Sequence, residues 1–97
     1  MGDRIGLQFL DGDGRTSYVL HSHWAGRDAL IAAQRWLQDT REQTKGMYCN
    51  EALCHFLQWC GGHSNSYWDF DIQGEDDYDD CEDNGVFMVD LKEGYVA

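Results

Sequence analysis

The chain has 97 residues, 42% of them apolar, 13% aromatic, and a net charge of −11. That length suits one domain with one modest core, the aromatic supply excludes a disordered composition, and no stretch reaches the roughly 18 apolar residues that cross a bilayer. Residues 1–45 carry six acids and six bases, whereas residues 46–97 carry twelve acids and the single base Lys92; this argues against direct binding to nucleic acid or anionic membranes, which need clustered cations.

The N-terminus, MGDRIGLQFLDGDG, has no basic-then-apolar signal layout, and Gly2 is not followed by the Ser or Thr that myristoylation expects. The expected location is the cytoplasm, where the four cysteines are reduced thiols. Proline is absent, so glycine makes the turns.

Residues 4–10 alternate, with Ile5, Leu7 and Phe9 on one side, which predicts a strand with one buried face. DGDG at 11–14 is a turn signal. Residues 15–22 give a second alternating set, Thr16, Tyr18 and Leu20, and the two strands form a hairpin. From Gly26 to Glu42 the period changes: Leu30, Ala33, Leu37 and Thr40 recur at helical spacing, with Ile31 and Trp36 flanking them. Residues 47–60 form a second helix with Cys49, Leu53, Phe56, Leu57 and Cys60 on one face, ended by Gly61-Gly62. Residues 67–73 and 85–91 are the last two strands. The predicted order is ββααββ in a single α+β domain over 1–97: a two-layer sandwich, with a four-stranded, mainly antiparallel sheet carrying two helices on one face.

Several constellations resemble functional sites. Cys49, Cys54, His55, Cys60 and His63 offer zinc ligands, but Cys54 lies about 140° around the helix from Cys49, so buried thiols acting as small hydrophobes are the expectation for this helix face. His21 and His23 point the same way on a strand and would need a third ligand to hold a metal; a strand end leading into a helix capped by Ser22 or Asp28 accounts for them as well. GDGRTS at 12–17 lacks the ending of a phosphate loop and precedes a strand. Asp80 to Gly85 matches the first half of a calcium loop, yet Leu91 stands where its bidentate Glu belongs. No G-x-S-x-G turn frames a nucleophilic serine. No catalytic residue, metal or cofactor is assigned.

Eleven of the eighteen acids fall between Asp69 and Glu93. Asp69 and Asp71 project from the solvent side of one strand, and Glu75, Asp76, Asp77, Asp79, Asp80, Glu82 and Asp83 follow, with Tyr78 among them. High-salt adaptation would spread acids over the whole surface, whereas here the first half is neutral. Spaced carboxylates on a rigid base can stand in for phosphates and enter a groove that otherwise holds nucleic acid. In size, charge and charge placement the chain resembles the small phage and mobile-element inhibitors, anti-CRISPR proteins among them, several of which are nucleic-acid mimics. The resemblance implies a non-catalytic inhibitor, monomeric or homodimeric, whose partner is a basic nucleic-acid-binding protein. The ten residues from Asp69 to Asp83 named above are the expected partner-binding residues. The alternatives are a small metal-dependent enzyme or zinc-stabilised domain, using His21 and His23 or Cys60 and His63, and a structural accessory domain.

Overall fold

A computed structural model describes residues 3–22, 25–63, 70–73 and 84–97. Within them the order is β1 (Ile5–Leu10), β2 (Val19–Ser22), α1 (Arg27–Asp39), α2 (Arg41–Thr44), α3 (Cys49–His63), β3 (Phe70–Gln73), β4 (Val86–Asp90) and β5 (Tyr95–Val96). The class is α+β, but the sheet has five strands in the order β3-β2-β1-β4-β5 and is mixed. Three helices accompany it, rather than the expected two.

β1 is the central strand. It pairs antiparallel with β2 through Leu7↔Leu20 and parallel with β4 through Phe9↔Val89. The parallel pair departs from the antiparallel expectation, because alternation reveals which face a side chain takes and says nothing of which strand lies beside it. Ile5, Leu7 and Phe9 join Leu20, Val89 and Leu91 in one core cluster with the helices. Gly6 and Gln8, on the opposite face, are buried as well, so β1 has two covered faces where one was expected.

β2 begins four residues later than the alternation suggests. Before Val19 the pairing is reduced to an isolated bridge between Leu10 and Thr16 and a bond from Ser17 N to Phe9 O at 2.9 Å. The expected turn is closed by Asp11. Its Oδ1 accepts from the backbone N–H of Asp13 and of Arg15, both at 3.0 Å, and its Oδ2 accepts from Cys49 N at 3.1 Å. Residues 11–15 are thereby wound around one carboxylate instead of extending a ladder. Side chains then bind what the ladder leaves open: Ser17 Oγ accepts from Phe9 N at 2.9 Å, and Gln8 Nε2 donates to Ser17 O at 2.9 Å. Tyr18, grouped with Leu20 by the alternation, is exposed, while Val19 to Ser22 are all buried.

The predicted helix over 26–42 breaks at Thr40. Its hydroxyl donates back to Trp36 O at 2.5 Å, and its φ of −122° leaves the helical region. The buried face is Ala29, Ala32, Ala33, Trp36 and Leu37, with Trp36 at its centre rather than on its flank. α3 runs on through Gly61 and Gly62 to His63; neither glycine takes a positive φ, and glycine permits a helix end without imposing one.

Phe9 meets Trp36 edge-on at 5.6 Å, Trp36 meets Phe56 at 5.4 Å, and Phe56 meets Phe70 at 6.0 Å. This aromatic chain joins sheet, α1 and α3. Each such side chain adds about 1.5–3 kcal/mol by burial. Trp36 Nε1–H donates to His55 Nδ1 at 2.9 Å, which satisfies the one polar atom of the indole.

The turn after β4 is tied to the helical layer. Arg41 donates from Nη1 to Leu91 O at 2.6 Å and from Nη2 to Lys92 O at 2.5 Å. Gly94 has a φ of +80°, and a Cβ there would stand 2.6 Å from Arg41 Nε. The positive φ therefore favours glycine at this position, and a Cβ there would displace the guanidinium from its clamp. Among the described residues, no helix is long and apolar enough to cross a membrane.

Candidate functional site

Of the ten expected partner-binding residues, Asp71 lies within the described chain. It sits on β3, at the sheet edge, in register with His21 of β2. Its side chain is 57% exposed, whereas His21 is fully buried, and Asp71 Oδ1 lies 3.2 Å from His21 Nδ1. The buried imidazole thus fixes one side of an exposed carboxylate. Asp69, Glu75, Asp76, Asp77, Tyr78, Asp79, Asp80, Glu82 and Asp83 lie outside the described residues.

The remaining candidates take structural places where they are described. Cys49 and Cys60 are buried in the helix-facing core and Cys54 is exposed. Burial and the adjacent Asp11 charge push the Cys49 thiol up, so it stays protonated at neutral pH and is a poor nucleophile. His55 is the acceptor for Trp36. His23 and the side chain of His63 are outside the described set. Among the described residues, no group of three His, Cys, Asp or Glu could hold a metal ion. In the calcium-like run, Asn84 Nδ2 donates to Asp3 Oδ1 and to Arg4 O, both at 2.7 Å, and Leu91 is fully buried. Both residues serve the fold.

One feature that the sequence pattern did not mark is a cleft at the carboxyl ends of the parallel strands β1 and β4. It holds about 430 Å³ and is lined by Asp11, Gly12, Asp13, Lys45, Gly46, Met47, Tyr48 and Lys92. Three connections build it: the loop after β1, the α2–α3 link and the turn after β4. Burial alone would raise the Asp11 pKa, but backbone N–H donors from Arg15, Cys49 and Asp13 outweigh it and hold the carboxyl below its ordinary value. Asp11 is therefore an anion whose oxygens are already engaged by the backbone. Tyr48 is 67% exposed, and its backbone N–H donates to Glu51 Oε1 at 3.2 Å, which holds the entry to α3. The signal that could have located this cleft is lysine itself: Lys45 and Lys92 are the chain's only two lysines, and the fold brings both to its lining.

Comparisons of this chain with protein-family models, with curated proteins and with solved structures give no match.

Proposed function

We propose that the protein is a non-catalytic binding protein, an inhibitor whose acidic C-terminal half occupies a basic groove of a nucleic-acid-binding partner. The observation that carries this reading is the division of charge: residues 1–45 are neutral and residues 46–97 hold the entire −11. Asp71 supports it, as an exposed carboxylate on an edge strand backed by a buried histidine. A carboxylate held on a strand loses less side-chain freedom on docking than one on a free tail, so more of the attraction is kept. Facing a basic groove, such a surface gains mainly in association rate and in selectivity among partners.

The test uses affinity capture with the full chain, compared with a variant carrying Asp76→Lys, Asp77→Lys, Asp79→Lys and Asp80→Lys. The wild-type chain is expected to retain nucleic-acid-binding proteins that salt and added duplex release, because exposed charge pairs weaken once the screening length falls to about 10 Å or less. The variant is expected to lose them. Retention of the same partner with unchanged affinity and unchanged salt dependence refutes the reading.

A further inference from the structure

We propose that the cleft at the carboxyl ends of β1 and β4 is a binding site for a small phosphorylated sugar. Lys45 and Lys92 hold the phosphate, Asp13 accepts a sugar hydroxyl, and the Tyr48 ring covers the apolar face of the sugar. The proposal goes beyond the inhibitor reading and uses none of the residues that reading needs.

Four observations converge on this cleft. The first is charge placement. In a chain of net charge −11, its two lysines come from segments 47 positions apart and line the same space. The Lys92 ammonium has no hydrogen-bond or ion-pair partner among the described residues. Lys45 has only Glu42, at 3.1 Å, in a pair whose side chains are 54% and 88% exposed; such a pair is worth little and exchanges readily. The second concerns the acids. Asp11 is an anion engaged by three backbone donors, and it forms no ion pair with either lysine among the described residues. Asp13 has no cation partner among the described residues and is exposed, which leaves it as an acceptor for a hydroxyl.

The third observation is the pair of glycines. Gly12 and Gly46 line the cleft, neither has a positive φ, and a Cβ on either would meet nothing within 4 Å. The fold does not require glycine at these positions. A missing side chain there keeps the cleft open to a ligand. The fourth is position. The cleft lies beyond the carboxyl ends of the parallel pair β1 and β4, between three connections, and the volume falls within the range of small-molecule sites, about 300–1,000 Å³. Two cations, an acceptor and an exposed aromatic ring together fit a phosphate ester on a hydroxylated ring better than they fit a bare anion. Free sugar phosphates and mononucleotides share that chemistry.

The experiment is a two-dimensional ¹H–¹⁵N titration of the full chain at about 0.15 M salt, where long-range charge effects are screened. The probes are ribose 5-phosphate, adenosine 5′-monophosphate, ribose and inorganic phosphate. Ribose 5-phosphate is expected to give saturable shifts at Gly12, Asp13, Gly46, Tyr48 and Lys92, with a dissociation constant of about 1 mM. Ribose and inorganic phosphate alone are expected to bind about tenfold more weakly or worse, since each makes half of the contacts. Equal affinity for the two phosphorylated probes identifies the sugar phosphate as the ligand, and tighter binding of the nucleotide identifies the base as a further contact. Lys45→Gln and Lys92→Gln are each expected to weaken binding about tenfold, and Gly46→Val to abolish it by filling the cleft. Arg27→Gln, on exposed α1 surface, serves as the control and leaves binding unchanged. All four positions are exposed, and the dispersion of each variant's own ¹H–¹⁵N spectrum shows that it is folded. The proposal is overturned by shifts that do not saturate, by shifts that map elsewhere, by inorganic phosphate binding as tightly as ribose 5-phosphate, or by lysine variants that bind like wild type.

Discussion

The contact between Arg41 and Gly94 provides a quantitative test of how the β4–β5 turn is held. Arg41→Ala removes two charge-assisted hydrogen bonds, to Leu91 O and Lys92 O. Water replaces the bond at exposed Lys92 more readily than the one at buried Leu91, so the loss is close to that of one strong bond, about 1.5–3 kcal/mol. In a domain of this size that lowers Tm by roughly 6–20 °C. Gly94→Ala has two separate costs. Alanine at a φ of +80° loses about 1–2 kcal/mol on backbone grounds alone. Its Cβ would also sit 2.6 Å from Arg41 Nε and 2.8 Å from Cζ, and the displacement this forces adds about 1–3 kcal/mol. In the Arg41→Ala background the second cost vanishes because the obstructing atoms are gone. The double variant is therefore expected to be more stable than the sum of the single effects by about 1 kcal/mol or more. Urea denaturation of the four proteins, read from the midpoints at constant slope, measures this coupling. Additivity within about 0.5 kcal/mol would show that the guanidinium does not pack against Gly94 and would refute the clamp.

Two further outcomes follow from the same loop region. The Asp11 carboxyl is held below its ordinary value of 3.8, so its contribution is fully present above about pH 4 and is lost as pH falls through the folded-state value. Melting curves of wild type and Asp11→Asn should differ by several degrees at neutral pH, about what one capping interaction contributes, and converge in acid; a constant offset down to pH 2 would contradict the assignment. Iodoacetamide at neutral pH should alkylate exposed Cys54 well before buried Cys49 and Cys60, as peptide mass spectrometry would show, and modification of Cys49 at the same rate as Cys54 would mean that the α3 N-terminus opens.

Much of the fold was legible in local patterns. Burial follows the alternation of Ile5, Leu7 and Phe9 and, but for half-buried Leu57, the helical face over residues 47–60, whereas over 26–42 the buried face is turned toward Ala29, Ala32 and Trp36, leaving Leu30 and Thr40 half-buried and Ile31 exposed. What local pattern does not carry is pairing across long separations. That β4 lies parallel beside β1 depends on contacts between residues about 80 positions apart, and β5 is two residues long, too short to alternate. Two local features, the turn read correctly at 11–14 and the helix break missed at Thr40, have a single physical source: short polar side chains that bind their own backbone. Asp11 winds the hairpin loop and Thr40 ends α1. Both are drawn to local backbone donors or acceptors that compete with regular ladders, and neither disturbs the apolar rhythm from which elements are inferred. The acidic candidate residues were conspicuous in composition; Asp71 lies on the expected strand and is exposed, but Ile72 on the opposite face is 54% exposed as well, so alternation did not mark a single solvent side of this edge strand. The lysine cleft had no motif because its parts come from three separate connections.

The two proposed surfaces would place different demands on the fold. A partner surface made of many carboxylates tolerates small shifts, because long-range attraction falls off gradually over a screening length of about 10 Å. A cleft holding one small ligand does not, since a contact misplaced by about 1 Å loses most of a hydrogen bond. Two side-chain clamps among the described residues lie where the second demand applies. Asp11 gathers the loop after β1 and the start of α3 around one carboxylate, and Arg41 grips the turn that presents Lys92 by that residue's own carbonyl. If the cleft were an accident of loop packing, releasing Arg41 would alter stability alone. If it is a site, Arg41→Ala should weaken ribose 5-phosphate binding even in the folded protein, although Arg41 itself does not line the cleft.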